Sequence, residues 1–122
     1  MRAAATESAR MAVMELDPQK IPARDFYRYM IGSIVPRPIA WVSTLSPKGV
    51  ANLAPFSFFN AVGANPPTVV FCPANKRDGS KKDTLLNIEA TKEFVINIVP
   101  FALANVMNDT SAEYAYDESE FD

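Results

Sequence analysis

Histidine is absent from all 122 residues. That removes the usual catalytic base, the Ser-His-Asp triad and the commonest zinc ligand together. Any chemistry here is expected to fall to a bound cofactor, with no catalytic side chain and no metal. Cysteine occurs once, as Cys72, so no disulfide can close within the chain. A single thiol fits a reducing cytoplasm, the expected location. The four glycines fall in neither a GxGxxG nor a GxxxxGK[ST] pattern, which disfavours a Rossmann domain and a P-loop. No apolar run reaches the roughly 18 residues that a membrane-spanning helix needs. The opening "MRAAATESARMAVMELDPQK" lacks the uninterrupted apolar block of a secretory signal. Basic excess is lacking too: the net charge is −2, so the electrostatic footprint of a nucleic-acid binder is missing.

What is present suits one globular domain, with 48% hydrophobic and 21% charged residues. Residues 1–25 read as a leader with weak helical character, passing into a short helix in "IPARDFYRYM" that ends near Gly32. Strands are expected near 39–45 and 50–59, joined by the turn residues of "SPKG", Pro47 and Gly49. Pro55 cannot donate to a ladder, so its strand should be an edge or carry a bulge. A third strand is expected near 68–72 and a fourth near 93–99. Between them a basic loop leads to a helix that begins near Asp83, with Asp83 or Thr84 available as its cap. "FALANVMNDTSAEYA" reads as a further helix, and "EYAYDESEFD" holds five acidic residues and no basic one. The order β-β-β-α-β-α points to an antiparallel sheet or small barrel with a few helices.

Three segments carry groups that chemistry would use. Lys76, Arg77, Lys81 and Lys82 precede a helix start at Asp83-Thr84. They are either a solvated loop or a seat for a phosphate at a helix N-terminus. Ser43 and Thr44 interrupt the apolar strand "WVSTL". They either make local hydrogen bonds or face the polar chain of a ligand. In "NLAPFSFFN", Pro55 breaks the ladder, Ser57 and Asn60 offer polar partners, and Phe56, Phe58 and Phe59 offer apolar walls. This is either a kinked edge strand or the seat of a flat aromatic ligand.

The ordered set "PRPIAWVST", a glycine, "NLAPFSFF", "NPP", "KDT", "NI" and "EFVINIV", followed by "MNDTSAEYAYDESEFD", closely resembles the flavin-reductase-like, FMN-binding split-barrel family. That family includes flavoredoxins and the reductase components of two-component monooxygenases. The resemblance covers roughly residues 26–122. It implies a mainly β, antiparallel Greek-key split barrel with a few helices. It implies FMN as cofactor, NADH or NADPH as co-substrate, and a homodimer. It also implies an NAD(P)H:flavin oxidoreductase, with a flavin-dependent monooxygenase or another electron acceptor as partner. A flavoredoxin-type electron carrier and a barrel fragment that binds nothing are the alternatives. The cofactor-binding residues implied are Arg37, Trp41, Ser43, Thr44, Asn52, Ala54, Pro55, Phe56, Ser57, Phe58, Phe59, Lys82, Asp83 and Thr84. Ser43 and Thr44 would lie near the ribityl chain, Ser57 near the ring system and phosphate, and Lys82-Asp83-Thr84 at the phosphate. Family members usually run well beyond this length, so the barrel is expected to be incomplete on its C-terminal side. Its open strand edges would then need covering by a partner chain.

Overall fold

A computed structural model of the chain describes residues 14–121. Most of the expected leader helix therefore lies outside the described residues. The chain divides into two compact units, Met1–Val35 and Pro36–Asp122, where the sequence reading places a boundary at 25/26. In the first unit α1 spans Ala23–Ser33, close to the expected short helix. Pro22 stands at its N-cap with φ −53°, a position that needs no N–H. Asp25 lies in the first turn, where its charge suits the helix dipole. At the other end the Ser33 hydroxyl donates to the Tyr29 carbonyl.

The second unit holds β1 (Ala40–Leu45), β2 (Ala51–Phe56), β3 (Phe59–Ala64), β4 (Pro67–Phe71), α2 (Asp83–Thr91) and β5 (Val95–Ile98). A 3-10 turn at Phe101–Leu103 and the short α3 (Ala104–Asp109) follow. All strand pairings are antiparallel: β2-β1-β5 form one sheet and β3-β4 a second. The β1–β2 hairpin turns as expected. Gly49 takes φ +82°, its N–H donates to the Ser46 carbonyl, and the Ser46 N–H bonds the Val50 carbonyl. That left-handed position suits a residue without a Cβ.

Two expectations change. The strand expected over 50–59 is two strands, because the chain bends at Ser57–Phe58 and Phe59 opens β3. The helix expected over "FALANVMNDTSAEYA" is only the 3-10 turn and the six residues of α3. Its remaining residues turn back toward β2. Pro55 settles as an edge residue: β2 is the outer strand of its sheet, and Pro55 pairs in regular register with Trp41. N–H directions alternate along a strand. The Leu53 N–H points outward to the Glu120 carboxylate, so the N–H that Pro55 lacks would also have pointed outward. The irregular register lies instead between Ala61 and Gly63.

The core is small. Ala40, Val42 and Phe56 are buried, with Ala54, Phe59, Phe71 and Ile96 packed against them. The Phe56 and Phe71 rings meet at 5.4 Å, and Phe71 meets Phe94 edge-on at 5.2 Å. The base of the β3-β4 hairpin thus anchors on the core, while Val62, Val69 and Val70 toward its tip stay exposed. Ile98 and Phe101 are also exposed, at 75% and 96%. The architecture is mainly antiparallel β with a few helices, and no described helix is long and apolar enough to cross a membrane.

Candidate functional site

The strand alternation of β1 sorts the expected site residues. Ala40, Val42 and Thr44 face one side with Phe56, Ala54 and Asn52 of β2. Trp41 and Ser43 face the other, so Ser43 and Thr44 cannot line one ligand chain together. On the first side a hydrogen-bonded polar cluster is buried between the sheet and α2. The Thr84 hydroxyl donates to Asn52 Oδ1 at 2.8 Å, and Thr44 donates to the same oxygen at 3.4 Å. Asn87 Nδ2 donates to Thr44 Oγ1 at 3.0 Å, and the Tyr116 hydroxyl donates to Asn87 Oδ1 at 2.9 Å. Asn52 Nδ2 in turn donates to Glu120. Thr84 and Asn87 are each 1% exposed. No buried side-chain polar atom among the described residues lacks a partner.

This cluster corrects the reading of the α2 start. Lys82 occupies the N-cap, and no side chain caps the helix. The Thr84 hydroxyl, expected at a phosphate, is turned inward to Asn52. Asp83 holds Lys76 with 3.1 and 3.2 Å contacts. On the opposite face the Trp41 indole N–H donates to Thr110 Oγ1 at 2.9 Å, and Ser43 Oγ accepts from Asn97 Nδ2 at 3.2 Å. The polar groups of Trp41, Ser43, Thr44, Asn52, Asp83 and Thr84 are thus engaged internally. Ala54 and Phe59 pack on the core, and Pro55 sits opposite Trp41.

Five of the expected residues make contacts at or beside the bend between β2 and β3, in two groups. Arg37 Nε donates to Ser57 Oγ at 3.3 Å, and its guanidinium lies 5.9 Å from the centre of the Phe58 ring. Lys82 Nζ lies 5.9 Å from the centre of the Phe56 ring. One cation, Arg37, thus lies against Ser57 and Phe58, and a second, Lys82, against the buried Phe56 at the end of β2. The other lysines of the basic loop are committed: Lys76 to Asp83, and Lys81 to Glu89 at 2.6 Å. No carboxylate pairs with Lys82 among the described residues. The loop folds on itself through Asp78, which accepts from the Ser80 hydroxyl and N–H. Those bonds, the hydroxyl's foremost, hold the Asp78 carboxyl below its ordinary pKa.

Two hollows open on the second unit. One of about 30 Å³ is lined by Lys82, Thr84, Ala54, Glu113, Tyr114 and Glu120, among others. It has room for about one water. A wide groove of about 970 Å³ runs past Leu45, Ser46, Phe94, Val95 and Phe121 and includes none of these five residues. The groove is lined by the β1–β2 hairpin, the α2–β5 connection and Phe121. The bend carries polar groups beside an aromatic ring, the combination that ligand sites use. Glu120, Asn87 and Tyr116 were missed in the sequence. Only the motif containing "SEFD" marked that region, and nothing in it identified which carboxylate turns inward.

The bend's donor set fits a planar ring with an anionic tail: aromatic faces for the ring, and guanidinium, ammonium and hydroxyl for a phosphate. No described group of three or more His, Cys, Asp or Glu side chains is placed to hold a metal. Comparison with known proteins agrees with that chemistry. The sequence model of the flavin reductase like domain matches residues 31–122. An uncharacterized protein of Aquifex aeolicus (strain VF5) is 40% identical over 109 residues, spanning 89% of this chain and 56% of that protein. The chain thus spans about half the length of the curated relatives it matches. Nitrilotriacetate monooxygenase component B from Bacillus cereus superposes with a TM-score of 0.84 at 37% identity, over 91% of this chain and 55% of that one. The 2-nitrobenzoate 2-nitroreductase NbaA of Pseudomonas fluorescens gives 0.72 at 33%, over 88% and 50%. A protein of Shewanella frigidimarina NCIMB 400, assigned as a flavin reductase with a split barrel domain, gives 0.67 at 27%, over 89% and 54%. The fold is that of these split barrels, and the chain belongs to the flavin-reductase-like domain family.

Proposed function

We propose that this chain carries the FMN seat of an NAD(P)H-dependent flavin reductase. The observation that carries the reading is the gathering of Arg37, Ser57 and Lys82 against Phe56 and Phe58. Arg37 and Lys82 supply the charge for the phosphate, and Ser57 a hydroxyl beside Arg37. Phe58 supplies an apolar wall for the ring, next to the buried Phe56. The bend at Ser57–Phe58 supports this role, since it ends β2 and sets Ser57 and Phe58 beside Arg37, with the Phe58 carbonyl held by the Cys72 N–H at 3.0 Å. A bound flavin supplies hydride chemistry with nicotinamide, so the chain needs to bind and orient rather than transfer protons. This agrees with a sequence that has no histidine.

The likeness to a monooxygenase component supports a flavin-dependent monooxygenase as the acceptor of reduced flavin. The exposed apolar residues of β5 and of the β3-β4 hairpin support a homodimer. The absence of disulfide-forming cysteine pairs suits the cytoplasm.

The test is a visible spectrum of the purified protein, followed by NADH or NADPH with and without added FMN. The reading predicts saturable FMN binding and faster pyridine-nucleotide oxidation when flavin is added. Bound flavin that neither nucleotide reduces would identify an electron carrier instead. No binding of added FMN at all would reject both.

A further inference from the structure

We infer that Glu120 is a positioning residue, joining the acidic end of the chain to the geometry of the flavin seat. The inference rests on the reading of the bend as that seat. Glu120 grips β2 twice, accepting from Asn52 Nδ2 with one carboxylate oxygen and from the Leu53 N–H at 2.8 Å with the other. Asn52 accepts the Thr84 hydroxyl on its own oxygen. Thr84 belongs to the first turn of α2, two residues beyond Lys82. The same few bonds therefore tie β2, which leads into the Phe56–Phe58 bend, to α2, which begins just after Lys82.

The hydrogen bonds all run in one direction. Tyr116 donates to Asn87, Asn87 to Thr44, Thr44 to Asn52, and Asn52 to Glu120. Both ends of this chain come from one segment, with Tyr116 the first donor and Glu120 the final acceptor. A carboxylate only accepts, so it fixes the Asn52 amide with its oxygen toward the two threonines. In a fully satisfied buried network each bond polarises the next, and a wrong group at one end is felt along it. A glutamine at position 120 could still accept from Asn52. It would then turn its own amide donors toward the Leu53 N–H, leaving that N–H without an acceptor. β2 and the α2 start would lose their fixed spacing, while the residues of the bend itself would remain in place.

That spacing matters only for a ligand that spans both elements. FMN seated there would be held by its ring at the bend and by its phosphate at Lys82, whereas riboflavin has no phosphate for Lys82 to hold. The experiment titrates FMN and riboflavin, by flavin fluorescence, into the native protein, Glu120→Gln and Tyr116→Phe. Thermal midpoints are measured alongside. The inference predicts that Glu120→Gln weakens FMN by about tenfold, the scale of one charge-assisted hydrogen bond, and leaves riboflavin within about twofold. Tyr116→Phe should lower the FMN-to-riboflavin ratio in the same direction by a smaller factor. It keeps the test decisive if Glu120→Gln does not fold. Equal losses for both flavins, or a lowered midpoint with an unchanged ratio, would overturn the inference and leave Glu120 as a fold-stabilising residue. If the native protein favours FMN and both variants match it, the positioning role alone falls. If the native protein binds neither flavin, the seat falls and the inference with it.

Discussion

Asn87 shows how single residues divide between holding the fold and holding a ligand. It sits inside α2, 1% exposed, with its amide donating to Thr44 and accepting from Tyr116. Removing it leaves two hydroxyls facing a void. Asn87→Ala should therefore cost about 1–3 kcal/mol of stability, read as a lower urea midpoint at unchanged slope. A cost below about 0.5 kcal/mol would mean that the buried cluster relaxes freely. In the sequence Thr44, Asn52 and Thr84 read as ligand contacts, because a hydroxyl or amide in an apolar run is equally apt for either duty. What separates the duties is the pairing partner, and that lies 8 to 68 positions away in the chain. Arg37, Ser57 and Lys82 stood out in the sequence only through the motifs that contain them, "PRPIAWVST", "NLAPFSFF" and "KDT". The commitment of Lys76 to Asp83, seven residues on, was not legible.

At the scale of elements, turn chemistry was the readable part. Pro47 and Gly49 marked the β1–β2 hairpin, and Asp83 is the first residue of α2. The break of the 50–59 segment at Ser57–Phe58 was hidden, because three phenylalanines keep the β signal running straight through it. The single residue Asn97 could be placed on a face by alternation, but not its bond to the Trp41 carbonyl across the sheet. The end of α2 supplies a prediction. Lys92 takes φ 63°, a left-handed position, while its N–H closes on the Ile88 carbonyl at 2.8 Å. A side chain there costs about 1–2 kcal/mol that glycine avoids, partly offset by the greater freedom of glycine in the unfolded chain. Lys92→Gly should raise stability by about 0.5–1 kcal/mol, seen as a higher thermal midpoint. Lower stability would show that the lysine side chain contributes more than its backbone conformation costs.

For the whole molecule, family and architecture were legible from motif order, whereas the extent of the sheets was not. Two sheets of three and two strands meet over a core of a few side chains, and β5 presents an outer edge with Ile98 75% exposed. Such an edge invites a further strand or a partner. The related proteins are about twice as long. Function at this scale rests on one claim, that the bend between β2 and β3 together with Lys82 grips the phosphate of a flavin. The most direct measurement is the affinity of FMN against riboflavin for the native protein and for Lys82→Ala. FMN should bind more tightly than riboflavin, and Lys82→Ala should lower FMN affinity by about one to two powers of ten with riboflavin unchanged. Equal affinity for the two flavins in the native protein, or a Lys82→Ala variant that holds FMN as well as the native one, would contradict it.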